Sequence, residues 1–349
     1  MREISPRILI DGREVDYLEG NYAYPGNLSA ATMTFKLPLT FGGMKKLWNK
    51  EVTMFLNKFD PTPIFRGWIK RTNPTFNDVE IIAEDAIGYM VRGGEMERAE
   101  IALDERVNLD GLTVGAAIKK ALELAKLDTK LGTAFIGDTS PLQNSVSEPF
   151  RGRYSVLDII KELLAKSINL NSTLPKPNIA KLIDNGTISQ IVIELESDLE
   201  NDVVKHVYTE YDNIIELNII NKKVPTVITV EGDGVFGTFT HDSAISAYDR
   251  NFLNVSNNAL KSPSACRDFA QKLFQANLKV QFEYGMEVLE GAYLNENDVI
   301  RIETEDPKFT GNYRVIGKAI DFSPASFTIG LSINRKPPTL AEYIGSRDN

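Results

Sequence analysis

Near the N-terminus, apolar and polar side chains alternate strictly, residue by residue. In ATMTFKLP (31–38), Ala, Met, Phe and Leu occupy the odd positions from Ala31 to Leu37, and threonine or lysine lies between them. Successive side chains of a strand point to opposite faces, so this period of two predicts a half-buried β-strand. A helix would need apolar residues three and four positions apart, which this segment does not have.

Several other short segments of residues 1–92 have the same character. RILIDGREVDYLEG predicts a β-hairpin, with Asp11 and Gly12 as a two-residue turn. EVTMFLNKF, IFRGWIKRTNPTF and DVEIIAEDAIGYM continue the series of short strands separated by turn residues. Such a series predicts a small antiparallel barrel or sandwich.

The middle of the chain changes to helical spacing. TVGAAIKKALELAKL (113–127) and SVLDIIKELLAKSI (155–168) predict two amphipathic helices, the second capped by Ser155. From about residue 189 strands return, and a third helix is predicted to start near Ser262, with Pro263 at its first position. We expect Ala265, Phe269 and Leu273 to form its buried stripe.

These segments predict an α+β fold, mostly β, with two small antiparallel β-barrel-like domains and a helical insert between them. The predicted limits are 1–92 for the first barrel, 93–188 for the insert, and 189–335 for the second β-rich domain, which holds one helix near 262–279. Residues 336–349 are predicted to be a peripheral tail.

Composition narrows the class of function. The net charge is −9 and the pI about 5.1, which argues against a chain whose task is to grip nucleic acid or an anionic membrane, since both need lysine and arginine. Cys266 is the only cysteine, and His206 and His241 are the only histidines. We expect no disulfide, no metal site, no signal peptide and no transmembrane helix.

Three segments resemble chemical sites, and each has a plainer interpretation. GDGVFG (232–237) matches G-x-G-x-x-G, but a strand-like pattern follows where a nucleotide site needs a helix, so a hairpin turn is predicted. Asn295, Glu296, Asn297 and Asp298 are oxygen-rich but lack the calcium-loop pattern, so a polar turn is predicted.

The third segment is a dense run of carboxylates that could serve a glycosidase: Glu194, Glu196, Asp198 and Glu200. Alternation places the first two on a strand face opposite Ile193 and Leu195, and a solvated face is the plainer interpretation. We therefore predict no catalytic, cofactor-binding or metal-binding residues. The loop NYAYPGN (21–27) suits contacts with a neighbouring chain, so Tyr22, Tyr24 and Pro25 are predicted interface residues.

The order of segments at the two ends of the chain resembles phage tail hub proteins, including the late control protein D family. ILIDGREV, YAYPGNLSAATMTFKLP, FRGWIKRT and EIIAEDAIGYM carry the resemblance over 1–92. A helix of AxxFAQKLF type, GAYLNENDVIRIE and FTGNYRVIGKAIDFSPASFTIGLSI carry it over 250–335. Asn297-Asp298 departs from the more usual Gly-Asp of that family.

The resemblance implies a structural, non-enzymatic hub in the virion tail, assembled in the host cytoplasm. It implies a homotrimer of two-barrel chains, whose six barrels match the sixfold tail tube on one side and the trimeric spike on the other. Baseplate wedge proteins and a tape measure protein are further implied partners, and DNA would pass through the ring without specific binding. A negative inner wall would repel phosphate. No cofactor and no membrane contact are implied.

Two other classes of function stay open at the level of sequence. One is a peripheral baseplate or receptor-binding module that binds carbohydrate on aromatic side chains such as Trp48 and Trp68. The other is an enzyme that degrades the cell wall through Glu194 or Glu196. A trimeric ring distinguishes the hub from the first, and loss of wall clearing on changing one glutamate identifies the second.

Overall fold

The computed structural model describes residues 6–26, 28–38, 47–57, 60–92, 100–129, 131–136, 139–146, 149–166, 178–184, 188–195, 202–221, 225–242, 245, 250–256, 260–278, 282–306 and 309–334. Strands account for 50% of the residues and helices for 16%, which confirms the mostly β prediction. No described helix combines the length and the apolar character needed to cross a lipid bilayer.

The N-terminal part is made of short antiparallel strands. They are β1 Arg7–Ile10, β2 Arg13–Val15, β3 Gly20–Tyr24, β4 Thr32–Pro38, β5 Glu51–Phe55, β6 Phe65–Pro74 and β7 Asp78–Asp85. The alternation predicted for β4 is confirmed, because Met33, Phe35 and Leu37 are buried. Asp11 and Gly12 both have positive φ (52° and 76°), as a two-residue turn between β1 and β2 requires.

The insert mixes helices and strands. Its elements are α1 Ala86–Arg92, β8 Glu100–Leu103, α2 Val114–Leu124, β9 Leu131–Ile136, β10 Gly152–Ser155, α3 Val156–Lys166, β11 Asn178–Asp184 and β12 Ser189–Leu195. Both predicted helices are present, and the Ala116 amide donates to Thr113 Oγ1 at the start of α2 (3.3 Å). β12 pairs with β9 and β11, so the strand beginning at Ser189 belongs to the insert's sheet. The domain limits stay predictions.

A small sheet with one helix follows. Its part of the chain contains β13 Val204–Thr209, β14 Ile214–Asn221, β15 Val227–Glu231, β16 Phe236–Thr240, β17 Phe252–Ser256 and α4 Pro263–Leu278. β15 pairs with β16 and β17, and α4 packs against β15 and β16. The Ala265 amide donates to Ser262 Oγ (3.2 Å), which confirms the cap.

The buried stripe predicted for α4 is confirmed at Leu273 and needs correction at its other two positions. Ala265 and Phe269 are only partly buried, while Cys266, Ala270, Leu273 and Phe274 fill the core. The stripe is rotated by one residue because the sheet, rather than the helix alone, decides which side is covered. Cys266 is buried in this core.

The last strands are β18 Phe282–Val288, β19 Val299–Glu303, β20 Gly311–Phe322 and β21 Phe327–Asn334. They join the N-terminal strands in one large sheet of order β14-β18-β21-β20-β3-β4-β7-β6-β5-β1-β2, with β19 also on β20 and β13 on β19. Among the described residues, no pairing returns from β2 to β3 or from β13 to β14, so neither set of strands closes by its pairings. One hydrophobic core runs through both sets.

Candidate functional site

The two ends of the chain meet where β3 pairs with β20, a junction that we call the seam. Ala23 lies opposite Ala319, and Tyr22 lies opposite Ile320. Of the predicted interface residues, Tyr22 (6% exposed) and Tyr24 (8%) are buried in the chain's own core, whereas Pro25 is exposed. Both tyrosines therefore contribute to an interface within the chain. Their contact with a second chain stays a prediction.

A buried hydrogen bond ties the seam to the turn at 295–298. The Tyr24 hydroxyl donates to Glu296 Oε2 (2.6 Å), and burial beside that carboxylate raises the pKa of Tyr24 well above its usual range. The amide of Asn297 donates to the Val315 carbonyl of β20 (2.8 Å). The segment is a turn, as predicted, but Glu296 and Asn297 are buried parts of the fold.

Lys318 projects from β20 into the interior and is 7% exposed. Its ammonium donates to the carbonyls of Ala292 (2.7 Å) and Leu294 (2.8 Å) and lies 5.7 Å from the centre of the Tyr22 ring. Burial disfavours the charged form and lowers the pKa of Lys318 to about 8, although Asp298 opposes this effect.

Asp85 ends β7 and caps α1. Its carboxylate accepts from the amides of Gly88 (2.9 Å) and Ala31 (3.0 Å). Burial raises the pKa of Asp85 to about 7, even though these amides favour the charged form, and the Asp184 carboxylate adds to the rise. A helix cap calls for a residue type such as aspartate, whereas the raised pKa of Asp85 follows only from its burial.

Asp184 reaches the same region from the end of β11. Its carboxylate accepts from the Ser189 hydroxyl at the start of β12. Burial raises the pKa of Asp184 to about 6, while the Arg66 guanidinium acts in the opposite direction. Arg66 is itself paired with Glu51 (2.9 Å), so its positive charge acts on both Glu51 and Asp184.

These groups surround one cavity of about 310 Å³, the junction cavity. Its walls come from the seam, the loop 62–64, the end of β11 and the loop 292–295. The polar lining residues named above are Tyr22, Tyr24, Asp85, Asp184 and Lys318. The cavity therefore brings together acidic and basic groups that the chain order places up to 296 positions apart, and sequence reasoning identified only the tyrosines.

The other predicted sites have structural roles in the described residues. Glu194 pairs with Lys181 of β11 (2.8 Å), and Lys181 and Val192 are buried, so the face predicted to be solvated is partly covered. Glu196, Asp198 and Glu200 lie outside the described residues. GDGVFG joins β15 to β16 as a hairpin, as predicted. The described residues contain no group of three or more His, Cys, Asp or Glu that could hold a metal ion.

The pKa of Lys318 makes a pH-dependent prediction. An unfolded lysine keeps its proton up to about pH 10.5, whereas Lys318 in the folded chain loses it near 8. Between these values the unfolded state binds more protons, so stability rises with pH. Relative to Lys318→Met, we expect the wild type to gain about 3 kcal/mol in free energy of unfolding from pH 7 to 10.5. Urea unfolding of both chains at several pH values measures the difference, and a flat difference would contradict the prediction.

The fold of this chain, a large sheet joined at its seam and carrying a helical insert, is similar to that of solved phage tail proteins. Over 98% of this chain and 99% of the other, the fold matches the 43 kDa tail protein of prophage MuSo2 from Shewanella oneidensis (TM-score 0.64, 9% identity). A tail protein from Neisseria meningitidis matches over 97% and 98% (TM-score 0.62, 11% identity). The predicted resemblance is thus confirmed at the level of fold.

A third match connects the fold to secretion machinery. It is an Escherichia coli component of the type VI secretion system, described as structurally similar to the T4 bacteriophage tail proteins gp27 and gp5; the match covers 98% of this chain and 79% of the other (TM-score 0.56, 11% identity). No protein-family model matches the chain, and no curated protein matches it in sequence. The likeness therefore lies in the arrangement of strands.

Proposed function

We propose that this chain is a non-enzymatic hub subunit of a phage-type tail baseplate and works as a homotrimer. In this assembly the strands β1–β7 and the strands β13, β14 and β18–β21 act as two barrel-like units of one chain. Three chains then present six units in a pseudo-sixfold ring, which joins a sixfold tail tube to a trimeric spike.

The observation that carries this proposal is the seam. Pairing of β3 with β20 joins the two units edge to edge in one sheet, with a continuous core beneath. Each chain is therefore one stiff arc that holds two units in a fixed relation. At the two ends of the sheet order, β2 and β14 each have one partner among the described strands. Open edges of this kind pair with neighbouring chains in closed rings.

Acidic residues on the outer face of the sheet near the seam are in keeping with a channel for DNA. A shallow hollow there is lined by Glu216, Glu287 and Asp321 together with small residues such as Gly317 and Gly330. We place this acidic face on the inner wall of the ring, where it would repel phosphate and let DNA pass without specific binding. The net charge of −9 is in keeping with such a wall.

The proposed partners are those that the resemblance to tail hub proteins implies. They are the tail tube, a trimeric spike, wedge proteins and a tape measure protein, within a virion tail of contractile type assembled in the host cytoplasm. The structural matches are to tail and secretion-system proteins, which supports a structural role in general.

The molar mass in solution tests the proposal. A homotrimer of the 38.9 kDa chain gives about three times that mass, and negative-stain images should show a holed ring. A chain that stays monomeric alone and also with a trimeric spike protein would overturn it.

A matched pair of variants locates the contact. Ile215 on β14 is 52% exposed and Phe76, in the turn after β6, is 97% exposed. We expect Ile215→Lys to give monomers, because an edge lysine opposes strand pairing, and Phe76→Lys to leave the trimer intact. A trimer that is unaffected by Ile215→Lys would exclude the β14 edge and leave the hub proposal standing.

A further inference from the structure

Three separate segments close over the junction cavity. Thr62–Ile64 precede β6, Leu182–Asp184 end β11, and Ala292–Asn295 lie before β19, while Tyr22 and Lys318 come from the seam. The volume of about 310 Å³ lies at the lower end of the range for small-molecule pockets. The charged lining residues are Asp85, Asp184 and Lys318, and Ile64, Phe65 and Ile183 add aliphatic and aromatic surface.

The hydroxyl of Tyr22 has no hydrogen-bond partner among the described residues, although the side chain is more than nine-tenths buried. Asp85 and Asp184 both act electrostatically on this hydroxyl, yet neither is hydrogen-bonded to it. All three residues line the junction cavity, and no hydrogen bond joins any two of them among the described residues. A buried polar group in this state normally has a partner that fills the gap.

We propose that the junction cavity binds an aliphatic primary ammonium group. The Asp85 and Asp184 carboxylates and the Tyr22 hydroxyl oxygen would accept its three N–H bonds. The attached methylene chain would lie along Ile64 and Ile183.

An ammonium group fits this wall better than other ligands. It carries three donors and a positive charge, which match three oxygen acceptors and two carboxylates. Of these, only Asp184 has a cation nearby, the Arg66 guanidinium that is paired with Glu51. A bare metal ion would meet only two carboxylates, and the described residues offer no larger cluster of ligands. An anion would be repelled by the same two carboxylates.

The charged groups around the cavity do not already satisfy the carboxylates. The Lys318 ammonium is bonded to the carbonyls of Ala292 and Leu294. Arg66 lies near Asp184 but is paired with Glu51, and Glu296 is bonded to Tyr24. An incoming ammonium group would add a positive charge beside the carboxylates and release the proton that Asp85 partly holds near neutral pH.

The ammonium group has two chemical sources, a free diamine or a lysine side chain of a partner chain. Calorimetric titration with 1,5-diaminopentane at pH 8 tests the first, and titration with a short lysine-containing peptide tests the second. Pentane-1,5-diol is the matched neutral probe. We expect saturable binding of at least one amine, none of the diol, and weakening by about tenfold or more at pH 5.5, because protonated carboxylates no longer attract the cation.

Variants connect the binding to the cavity. Tyr22→Phe removes only the unpartnered hydroxyl, and Asp184→Asn removes one charge; we expect each to weaken amine binding by about tenfold. Asp233→Asn, in an exposed turn, is the control and should change nothing. Thermal unfolding confirms that each variant is folded. Binding of the diol equal to that of the amine, affinity independent of pH, or equal affinity in all variants would overturn the proposal, as would absence of saturable binding by both amine probes.

Discussion

Gly26→Ala is expected to lower the free energy of unfolding by about 4 kcal/mol, near the upper end for one substitution. Gly26 lies two residues after the end of the seam strand β3 and has φ +75°, in the left-handed region that side chains rarely adopt. An added Cβ would also collide with the Ile316 carbonyl oxygen of β20 and lie 3.3 Å from Glu296 Oε1. Backbone cannot move aside as a side-chain end can, so the seam itself must open.

Gly12 supplies the matched control for this prediction. Its φ of +76° is almost the same, but a Cβ there would meet nothing within 4 Å. Gly12→Ala should therefore cost only the conformational penalty, about 1 kcal/mol. Urea unfolding followed by tryptophan fluorescence compares the two variants with the wild type. Equal losses would show that the close approach at the seam contributes nothing.

Asp85→Asn is expected to have a second large effect, on the way the free energy of unfolding changes with pH. The pKa of Asp85 is raised to about 7 from an ordinary 3.8. Between these values the folded chain holds a proton that the unfolded chain has lost, so stability falls as pH rises. The asparagine of the variant does not titrate, so the stability of the wild type relative to the variant should fall by about 3 kcal/mol from pH 4 to 7.

Asp184 also contributes to the pH dependence of stability in this second experiment. It raises the pKa of Asp85, and its own pKa is raised to about 6, so both carboxylates act in the same direction. Comparing wild type with Asp85→Asn leaves Asp184 in place and isolates the Asp85 contribution. The exposed Asp233→Asn serves as the control. A wild-type advantage that is constant from pH 4 to 7 would contradict the raised pKa.

Sequence patterns that span only a few residues predicted strands and turns correctly. The alternation from Ala31 to Leu37 predicted β4, and Asp11-Gly12 predicted the first hairpin, because both signals depend on geometry within a few residues. Helix α4 shows the limit of this reasoning. Its start at Ser262 is set by a local cap, whereas its buried stripe is set by the sheet across from it.

The candidate site was the part least open to prediction. Tyr22 and Tyr24 were predicted to lie in a loop that contacts another chain. The structure places them in strand β3, buried at the seam, and their contact with another chain stays a prediction. In the sequence, Asp85 is only a residue near the end of a predicted strand. Its pKa near neutrality comes from burial beside Asp184, which lies almost 100 positions further along the chain.

The sequence by itself determined the mostly β composition, the first strands, the three predicted helices and the acidic character of the chain, since each depends on residue type and spacing. It was wrong at AIGYM (86–90), which was predicted as strand and lies in helix α1. Only the tertiary structure decided that β3 pairs with β20 and that Asp85, Asp184, Tyr22 and Lys318 share one cavity. Pairing across almost 300 residues leaves no periodic signal in either strand. Desolvation, which moves these pKa values, exists only once distant segments have closed around the groups.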